Sequence, residues 1–130
     1  LDLLLPCSIS GLIDAAMADA LCTEAVVPAA NAPFQNPQLA DELRRRGIRV
    51  LPDPLVNAGA VIADSIERFS PEAWNNAGAE DVYAFVRCEV RQRAANYLSR
   101  RDQGLSVGAA LVDVAESSSD PIGLSFGDAA

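Results

Sequence analysis

The sequence predicts an α/β fold in which a parallel sheet of about three strands is followed by helices. Three short apolar runs alternate with helical segments over the first half of the chain. Short strands that are separated by helices of this length are typical of βαβ units, whose strands run parallel. From Gly59 onward, apolar residues recur at intervals of three and four, a spacing that indicates helices without further strands.

The three predicted strands are Leu1 to Leu5, Ala25 to Val27 and Ile48 to Leu51. The first consists of leucines around one aspartate, so we expect it to be buried, although the aspartate keeps its edge polar. Because proline has no backbone N–H to donate to a sheet, Pro28 and Pro52 end the second and third strands.

Two helices are predicted between these strands. The first runs from about Leu12 to Leu21, and its expected core-facing residues are Leu12, Ala15, Ala16 and Ala20. The second has asparagine at the N-cap, proline at its first position and glycine beyond its end, at Asn36, Pro37 and Gly47. It ends in Arg44-Arg45-Arg46, which we interpret as solvated charge at a helix C-terminus and not as a phosphate clamp.

Three further helices are predicted in the second half, over Gly59 to Phe69, about Ala79 to Arg101, and Ser106 to Ala115. Ser70-Pro71 closes the first of them, and a turn over Asn75 to Gly78 precedes the long one. The long helix carries an apolar stripe formed by Val82, Phe85, Val86, Val90, Ala94, Tyr97 and Leu98. Residues 117–130 are rich in serine and glycine, so we expect a loose tail.

Composition excludes several classes of function. The formal net charge of −8 argues against nucleic acid as a partner, because phosphate binding needs a basic face. Cys7, Cys22 and Cys88 lack metal-ligand spacing and the chain has no histidine, so we predict no metal site. Scattered thiols suit a reducing compartment, and no apolar run reaches the length of a membrane span. We therefore expect a cytoplasmic protein without a membrane partner.

Three segments resemble the signatures of one enzyme family and follow one another in that family's order. Pro52 to Val61, which reads Pro-Asp-Pro-Leu-Val-Asn-Ala-Gly-Ala-Val, is similar to Pro-Asp-x-x-x-Asn-Ala-Gly-Gly-Val. Leu3 to Ser8 resembles a hydrophobic strand that ends in Pro-Cys-Ala, and Val26 to Pro33 resembles a strand followed by Gly-Ala-Asn-Gly-Pro. The family is that of the glutamate/leucine/phenylalanine/valine dehydrogenases, and the resemblance covers roughly the first seventy residues.

The resemblance implies that residues 1–70 are the second half of a Rossmann-like NAD(P)-binding domain. Residues 71–116 would be C-terminal helices that pack on this domain and on a substrate domain outside the chain. The family's catalytic lysine lies in that substrate domain, whereas this chain has no lysine and no G-x-G-x-x-G phosphate loop. The chain also starts at Leu1, inside a predicted strand. Together these features favour the C-terminal part of a longer dehydrogenase, and we expect this part to be inactive on its own.

The implied activity is reversible oxidative deamination of an L-amino acid to a 2-oxo acid and ammonia, with NAD or NADP as cofactor. The implied partners are the missing N-terminal part of the same enzyme and, as is usual in the family, further copies in a homo-oligomer. The alternative is a stand-alone, non-catalytic binding or assembly module, which would expose one sheet edge. The sequence leaves open the amino acid, the choice between NAD and NADP, and the oligomeric state.

Four residues match family positions at the cofactor, and none of them is catalytic. The resemblance implies that Asn57 hydrogen-bonds at the nicotinamide and substrate end of the site, and that Asn31 lies beside the nicotinamide ribose. It implies that Ser8 lies against the nicotinamide through its main chain and that Cys7 packs beside the cofactor. The alternatives are a helix N-cap for Asn57 and a turn residue for Asn31.

The helix after Asn57 supplies the remaining substrate residues, Val61 and Asp64, which lie one turn apart on one face. In the family these positions line the pocket for the substrate side chain, with a hydroxyl for glutamate and an apolar residue for leucine or phenylalanine. In such a pocket, the carboxylate of Asp64 would repel glutamate and favour a polar or cationic substrate. The alternative is that Asp64 faces solvent in the N-terminal half of its helix.

Three alanines replace glycines of the family pattern, at Ala29, Ala32 and Ala60. Alanine costs on the order of one kcal/mol where φ is positive, and nothing where the backbone is helical.

Overall fold

The computed structural model describes residues 1–117, which form two compact units. The first unit is Leu1–Ala58, and the second begins at Gly59. The loose tail predicted for residues 117–130 lies outside the described residues, apart from Ser117, which ends a helix. The predicted domain limits, 1–70 and 71–116, stay predictions.

The first unit is built on a three-stranded parallel sheet, which confirms the predicted fold class. Its strands are β1 (Leu3–Leu4), β2 (Ala25–Val26) and β3 (Arg49–Val50), in the spatial order β1-β2-β3. The register pairs Leu3 with Ala25, and Ala25 with Arg49. The carboxyl ends of all three strands therefore lie along one edge of the sheet.

Two helices, α1 (Ala15–Ala20) and α2 (Pro37–Arg45), connect the strands and pack with them around one apolar core. The buried residues of this core are Ile13, Ala18, Val26, Ala40, Leu43, Ile48 and Val50. Ile13, Val26 and Leu43 are fully enclosed, and burial of each such side chain stabilises the fold by about 1.5–3 kcal/mol.

The prediction that Leu1 to Leu5 is a buried strand was wrong. Leu1, Leu3 and Leu5 keep 80%, 46% and 53% of their surface exposed, whereas Leu4 packs against the core. The reason is that β1 is an edge strand whose side chains alternate between two faces. Within this unit only the face that carries Leu4 is covered, so three leucines remain on the open face.

Helix α1 starts three residues later than predicted. Gly11 has a positive φ of 67°, and Ile13 makes an isolated parallel bridge with Phe34, so the chain is not yet helical there. Asp14 is the N-cap, and its carboxylate accepts the N–H of Met17 at 2.7 Å. The predicted core-facing stripe was wrong: Ala18 is buried, whereas Leu12, Ala15, Ala16 and Ala20 are exposed.

Helix α2 has the ends that the sequence predicts. The side chain of Asn36 accepts the N–H of Gln38 at 3.1 Å, and Gly47 follows the helix with a φ of 86°. Of the triple arginine interpreted as solvated charge, Arg45 and Arg46 are exposed and Arg44 is half-buried, but Arg44 and Arg46 also form hydrogen bonds. Arg46 donates to the carbonyls of Ala18 and Leu21 at 2.7 Å each, so it caps the C-terminal end of α1. Arg44 donates to the Val50 carbonyl and to the Asp41 carboxylate.

Two short helices were not predicted from the sequence. They are α3 (Asp53–Val56) and α5 (Pro71–Asn76), and each has proline at one of its first two positions. Pro71 was predicted only to close the preceding helix, although proline also suits the first turn of a helix. As a result, the turn predicted over Asn75 to Gly78 is helical as far as Asn76.

The second unit is helical, as predicted. Besides α5 it contains α4 (Gly59–Phe69), α6 (Ala79–Asp102) and α7 (Val107–Ser117). Its buried residues are Ile62, Ile66, Tyr97, Ala110 and Val114. The predicted stripe on α6 is confirmed for Tyr97, which is fully buried, but not for Leu98, which is exposed. Among residues 1–117, no helix has the length and apolar character that a membrane crossing requires.

Candidate functional site

The loops that follow the three strands carry the cofactor-binding residues predicted for the first unit. Cys7 and Ser8 follow β1, Asn31 follows β2, and Asn57 ends the short helix α3 that follows β3. In open parallel sheets, ligands bind in the crevice at the carboxyl ends of the strands. All four residues therefore belong to the part of this unit where a ligand is expected.

The loop after β1 is bound to the loop after β2 through main-chain atoms. The carbonyl of Pro6 accepts the N–H groups of Ala29 and Ala30 at 2.9 and 2.8 Å. Pro6 is buried, whereas Cys7 and Ser8 are exposed. The Cys7 thiol donates to the carbonyl of Leu5 at 3.3 Å. The two exposed residues thus stand on a main chain that the neighbouring loop holds in place.

The main chain around Asn31 is fixed by three hydrogen bonds from other segments. The Ser10 hydroxyl donates to the Asn31 carbonyl at 2.7 Å, and the Gly11 N–H donates to the Ala32 carbonyl at 2.8 Å. The Ala32 N–H donates to Oδ2 of Asp53 at 2.8 Å. The Asn31 side chain itself is exposed and forms no hydrogen bond within residues 1–58. Its amide is free to bind a ligand.

Ala32 has a φ of 44°, which makes it the single non-glycine residue with positive φ among residues 1–117. An L-residue in this conformation costs about 1–2 kcal/mol, because its Cβ crowds the following carbonyl oxygen. Glycine, which the family pattern carries at this position, has no such cost. The replacement by alanine therefore strains the turn directly after Asn31.

Asn57 is half-buried and lies at the C-terminal end of α3, where its N–H donates to the carbonyl of Asp53 at 2.9 Å. The N-cap alternative is wrong, because helix α4 begins at Gly59 and Asn57 lies two residues before it. Within the described residues of the first unit, the Asn57 side chain forms no hydrogen bond. Like Asn31, it has an uncommitted amide close to the end of a strand.

Asp53 is the residue of this site that the sequence analysis did not single out. Its carboxylate binds the main chain beside Asn31, and its own carbonyl binds the main chain of Asn57. The signal was present, since Asp53 is the aspartate of the Pro-Asp pair in the matched signature. Its contact with Ala32, 21 residues away along the chain, was not visible from the sequence.

The predicted substrate residues Val61 and Asp64 belong to the second unit, on helix α4. Both are exposed, and Val61 keeps 68% of its surface accessible, whereas Ile62 and Ile66 of the same helix are buried. The two residues therefore share the face of α4 that its buried isoleucines leave free. Together with Asn57 they stay predictions for substrate binding.

The glycine and the alanine that follow Ala58 have different surroundings within the second unit. A Cβ added to Gly59 would lie 3.2 Å from Cγ1 of Val86, a close contact that favours glycine there. Ala60 is exposed and helical, with no positive φ, so its methyl group costs nothing. Of the replacements at positions 32 and 60, the alanine at position 32 is the one that strains the backbone.

The described residues contain no group of three or more histidine, cysteine, aspartate or glutamate side chains that could hold a metal ion. Cys7, Cys22 and Cys88 are all free and exposed. The polar side chains of the strand-end loops thus include the amides of Asn31 and Asn57, the hydroxyls of Ser8 and Ser10, the Cys7 thiol and the Asp53 carboxylate.

Residues 1–118 match the family described as Glutamate/Leucine/Phenylalanine/Valine dehydrogenase. The glutamate dehydrogenase of Thermotoga maritima is 42% identical over 66 residues, which are 51% of this chain and 16% of that enzyme. The NADP-specific glutamate dehydrogenase A1 of Halobacterium salinarum is 41% identical over 66 residues, with the same shares. The crystal structure of L-tryptophan dehydrogenase from Nostoc punctiforme has a TM-score of 0.70 at 24% identity, covering 90% of this chain and 34% of that one.

These comparisons differ in what they cover. The structural likeness extends over most of the chain and supports the fold. The matched segment spans about one sixth of the length of the curated relatives.

Proposed function

Since the chain belongs to the Glutamate/Leucine/Phenylalanine/Valine dehydrogenase family, we propose that it is the C-terminal part of the cofactor domain of an amino-acid dehydrogenase. The proposed reaction of the complete enzyme is the reversible oxidative deamination of an L-amino acid to a 2-oxo acid and ammonia. The observation that carries the proposal is the pair of uncommitted asparagine amides, Asn31 and Asn57, in loops at the carboxyl ends of two neighbouring strands.

The residues at this edge fit a nicotinamide cofactor, NAD or NADP. The nicotinamide carboxamide and the adjoining ribose offer donors and acceptors without charge, which side-chain amides match in both respects. When bound, the cofactor supplies the hydride acceptor. In the proposal, Asn57 orients the nicotinamide end, Asn31 holds the ribose, and the main chain of Ser8 lies against the ring, with Cys7 packed beside it.

The contribution of this chain to catalysis is placement of the reactants. Correct orientation of two reacting groups lowers a barrier by several kcal/mol, up to about 7–11 kcal/mol in favourable cases. Proton transfer is assigned to the lysine of the substrate domain, which belongs to the remainder of the enzyme. Further proposed partners are additional copies of the same enzyme in a homo-oligomer. The cytoplasmic location stays a prediction.

Val61 and Asp64 are proposed to face the substrate side chain. A carboxylate at position 64 disfavours glutamate by charge repulsion and favours a polar or cationic amino acid. The exposed position of Asp64 is equally suited to plain solvation, so the proposal names no single amino acid.

A second candidate function is a non-catalytic binding or assembly module. The open leucine face of β1 favours it, because an exposed apolar strand at a sheet edge is a surface for association. A protein of this kind would bind or assemble without deaminating any amino acid.

The test is coenzyme reduction by the complete protein that contains this chain, with each L-amino acid and with NAD and NADP separately. Asn57→Ala and Asn31→Ala should each lower kcat/KM about tenfold or more, as expected for the loss of a ligand hydrogen bond. The matched control is Asn75→Ala, because Asn75 is an exposed asparagine of α5 whose side chain forms no hydrogen bond within residues 59–117. If the protein reduces neither coenzyme with any amino acid, the dehydrogenase proposal is refuted and the non-catalytic binding or assembly module remains.

A further inference from the structure

We infer that Asp53 is a positioning residue: through its hydrogen bonds, this one residue fixes the positions of both candidate cofactor-binding asparagines, Asn31 and Asn57. The inference rests on the proposed function, in which Asn31 and Asn57 orient the nicotinamide end of the cofactor. It assigns no contact between Asp53 and a ligand. Its basis is the hydrogen bonds that Asp53 makes through its side chain and through its main chain.

The first step is the contact between Asp53 and the loop after β2. Oδ2 of Asp53 accepts the N–H of Ala32 at 2.8 Å, a distance typical of a hydrogen bond to an ionised acceptor. The Ala32 N–H belongs to the peptide that joins Ala32 to Asn31. By holding this peptide, the carboxylate fixes the orientation of the main chain from which the Asn31 side chain projects.

The second step is the strain in the same peptide segment. Ala32 has a φ of 44°, a conformation that an alanine leaves readily unless its surroundings hold it there. The hydrogen bonds to Asp53 and from Gly11 and Ser10 are the interactions that hold this segment. Without the acceptor at position 53, the turn is free to relax, and the Asn31 side chain moves with it.

The third step is the link to Asn57. The carbonyl of Asp53 accepts the N–H of Asn57 at 2.9 Å and so closes the single turn of α3. The residue whose side chain holds the Asn31 loop is therefore the same residue whose main chain holds Asn57. A change in the position of Asp53 would alter the spacing of the two amides, which a rigid ligand has to match.

Aspartate suits this position for chemical reasons. A carboxylate accepts hydrogen bonds and donates none, so it pairs with a main-chain N–H without competing for nearby carbonyls. It also lies in the first turn of α3, where negative charge is favoured. Asparagine at this position could still accept through its amide oxygen, whereas alanine could not.

The experiment compares Asp53→Ala and Asp53→Asn in the complete protein, with Asp19→Ala as the matched control. Asp19 is an exposed aspartate of the same unit, and its side chain forms no hydrogen bond within residues 1–58. The first measurement is NMR: the hydrogen-exchange rate and chemical shift of the Ala32 amide, and the side-chain amide signals of Asn31 and Asn57. The second is kinetic: the coenzyme KM and kcat.

Asp53→Ala should speed exchange at Ala32, shift the side-chain signals of Asn31 and Asn57, and raise the coenzyme KM about tenfold, with a smaller change in kcat. The coenzyme KM of Asp53→Asn should remain within about threefold of that of the unchanged enzyme, since the amide oxygen can still accept the Ala32 N–H. Asp53→Ala combined with Ala32→Gly should recover part of the lost affinity, because glycine adopts the positive φ without the hydrogen bond.

Each outcome decides the inference separately from the proposed function. If Asp53→Ala alters Ala32 exchange but leaves the coenzyme KM unchanged in an active enzyme, the residue is structural only and the inference is wrong. If no coenzyme is reduced at all, the proposed function fails. The asparagine signals then decide alone: signals unmoved by Asp53→Ala overturn positioning, and signals that move support it. If Asp53→Ala does not fold, the same measurements are made on Asp53→Asn.

Discussion

Replacing Arg46 with methionine should destabilise the first unit, because this side chain holds the end of α1 against the end of α2. The guanidinium donates to the carbonyls of Ala18 and Leu21, at 2.7 Å each. Ala18 lies in the last turn of α1 and Leu21 is its C-cap, so both carbonyls lie at the end of a six-residue helix, which is too short to be stable without such contacts. Methionine keeps much of the length and the apolar stem of arginine but removes both donors.

The magnitude follows from the two hydrogen bonds and their exposure. A hydrogen bond that involves a charged group contributes about 1.5–3 kcal/mol when it is well buried. Arg46 is exposed, so water can replace it at the Leu21 carbonyl, and the Ala18 carbonyl still accepts the N–H of Leu21 at 3.3 Å. We therefore expect a loss of about 1–2 kcal/mol in the free energy of unfolding, less than the sum of two buried bonds.

The assay is hydrogen exchange at increasing denaturant, which separates the stability of residues 1–58 from that of the rest of the chain. Arg45→Met is the matched control, because Arg45 is adjacent and exposed, and its side chain forms no hydrogen bond within residues 1–58. Its replacement changes the net charge by the same amount. Equal effects of the two substitutions on the amides of α1 would refute the capping role. Both changes would then act only through charge.

Two further predictions concern the strained turn and the open face of β1. Ala32→Gly should stabilise the first unit by about 0.5–1 kcal/mol, the relief of positive-φ strain less the greater freedom of glycine in the unfolded chain. A loss of stability in denaturant unfolding would show that the turn is not strained. Leu3→Thr with Leu5→Thr should reduce self-association of the 130-residue chain in sedimentation, because threonine keeps strand propensity while removing exposed apolar surface. Unchanged association would place the contact surface elsewhere.

The elements that the sequence predicts well are those whose signals are local. Helix α2 carries its own start and stop, with Asn36 at the N-cap and Gly47 at a φ of 86° beyond its end. Helix α1 also carries a local start, Asp14 at the N-cap, but its apolar pattern alone placed the helix three residues too early. The decisive feature there is the bridge between Ile13 and Phe34, a contact between separate segments that periodicity does not reveal.

The same distinction applies to the site. The asparagines could be placed at strand ends because strand, proline and asparagine follow one another along the chain. The contact that holds the Asn31 loop could not be predicted, because Asp53 reaches Ala32 across 21 residues. The cap of α1 could not be predicted either, because Arg46 reaches Ala18 across 28. Such pairs depend on how the loops come together, and any aspartate or arginine in the sequence has the same local appearance.

The replacements of glycine by alanine show why the structure of a site carries more information than its motif. At position 60 the backbone is helical and the methyl group is exposed, so the departure from the family pattern has no structural consequence. At position 32 the same replacement occupies a left-handed conformation beside a candidate cofactor-binding residue. Strain of this kind persists only where neighbouring interactions over-determine the backbone, and here a carboxylate, a hydroxyl and a main-chain amide do so. A turn that served only to connect β2 to α2 could relax by rotating this one peptide. It is held instead, and the exposed Asn31 side chain projects from it without a hydrogen bond within residues 1–58, as the proposed contact with a ligand requires.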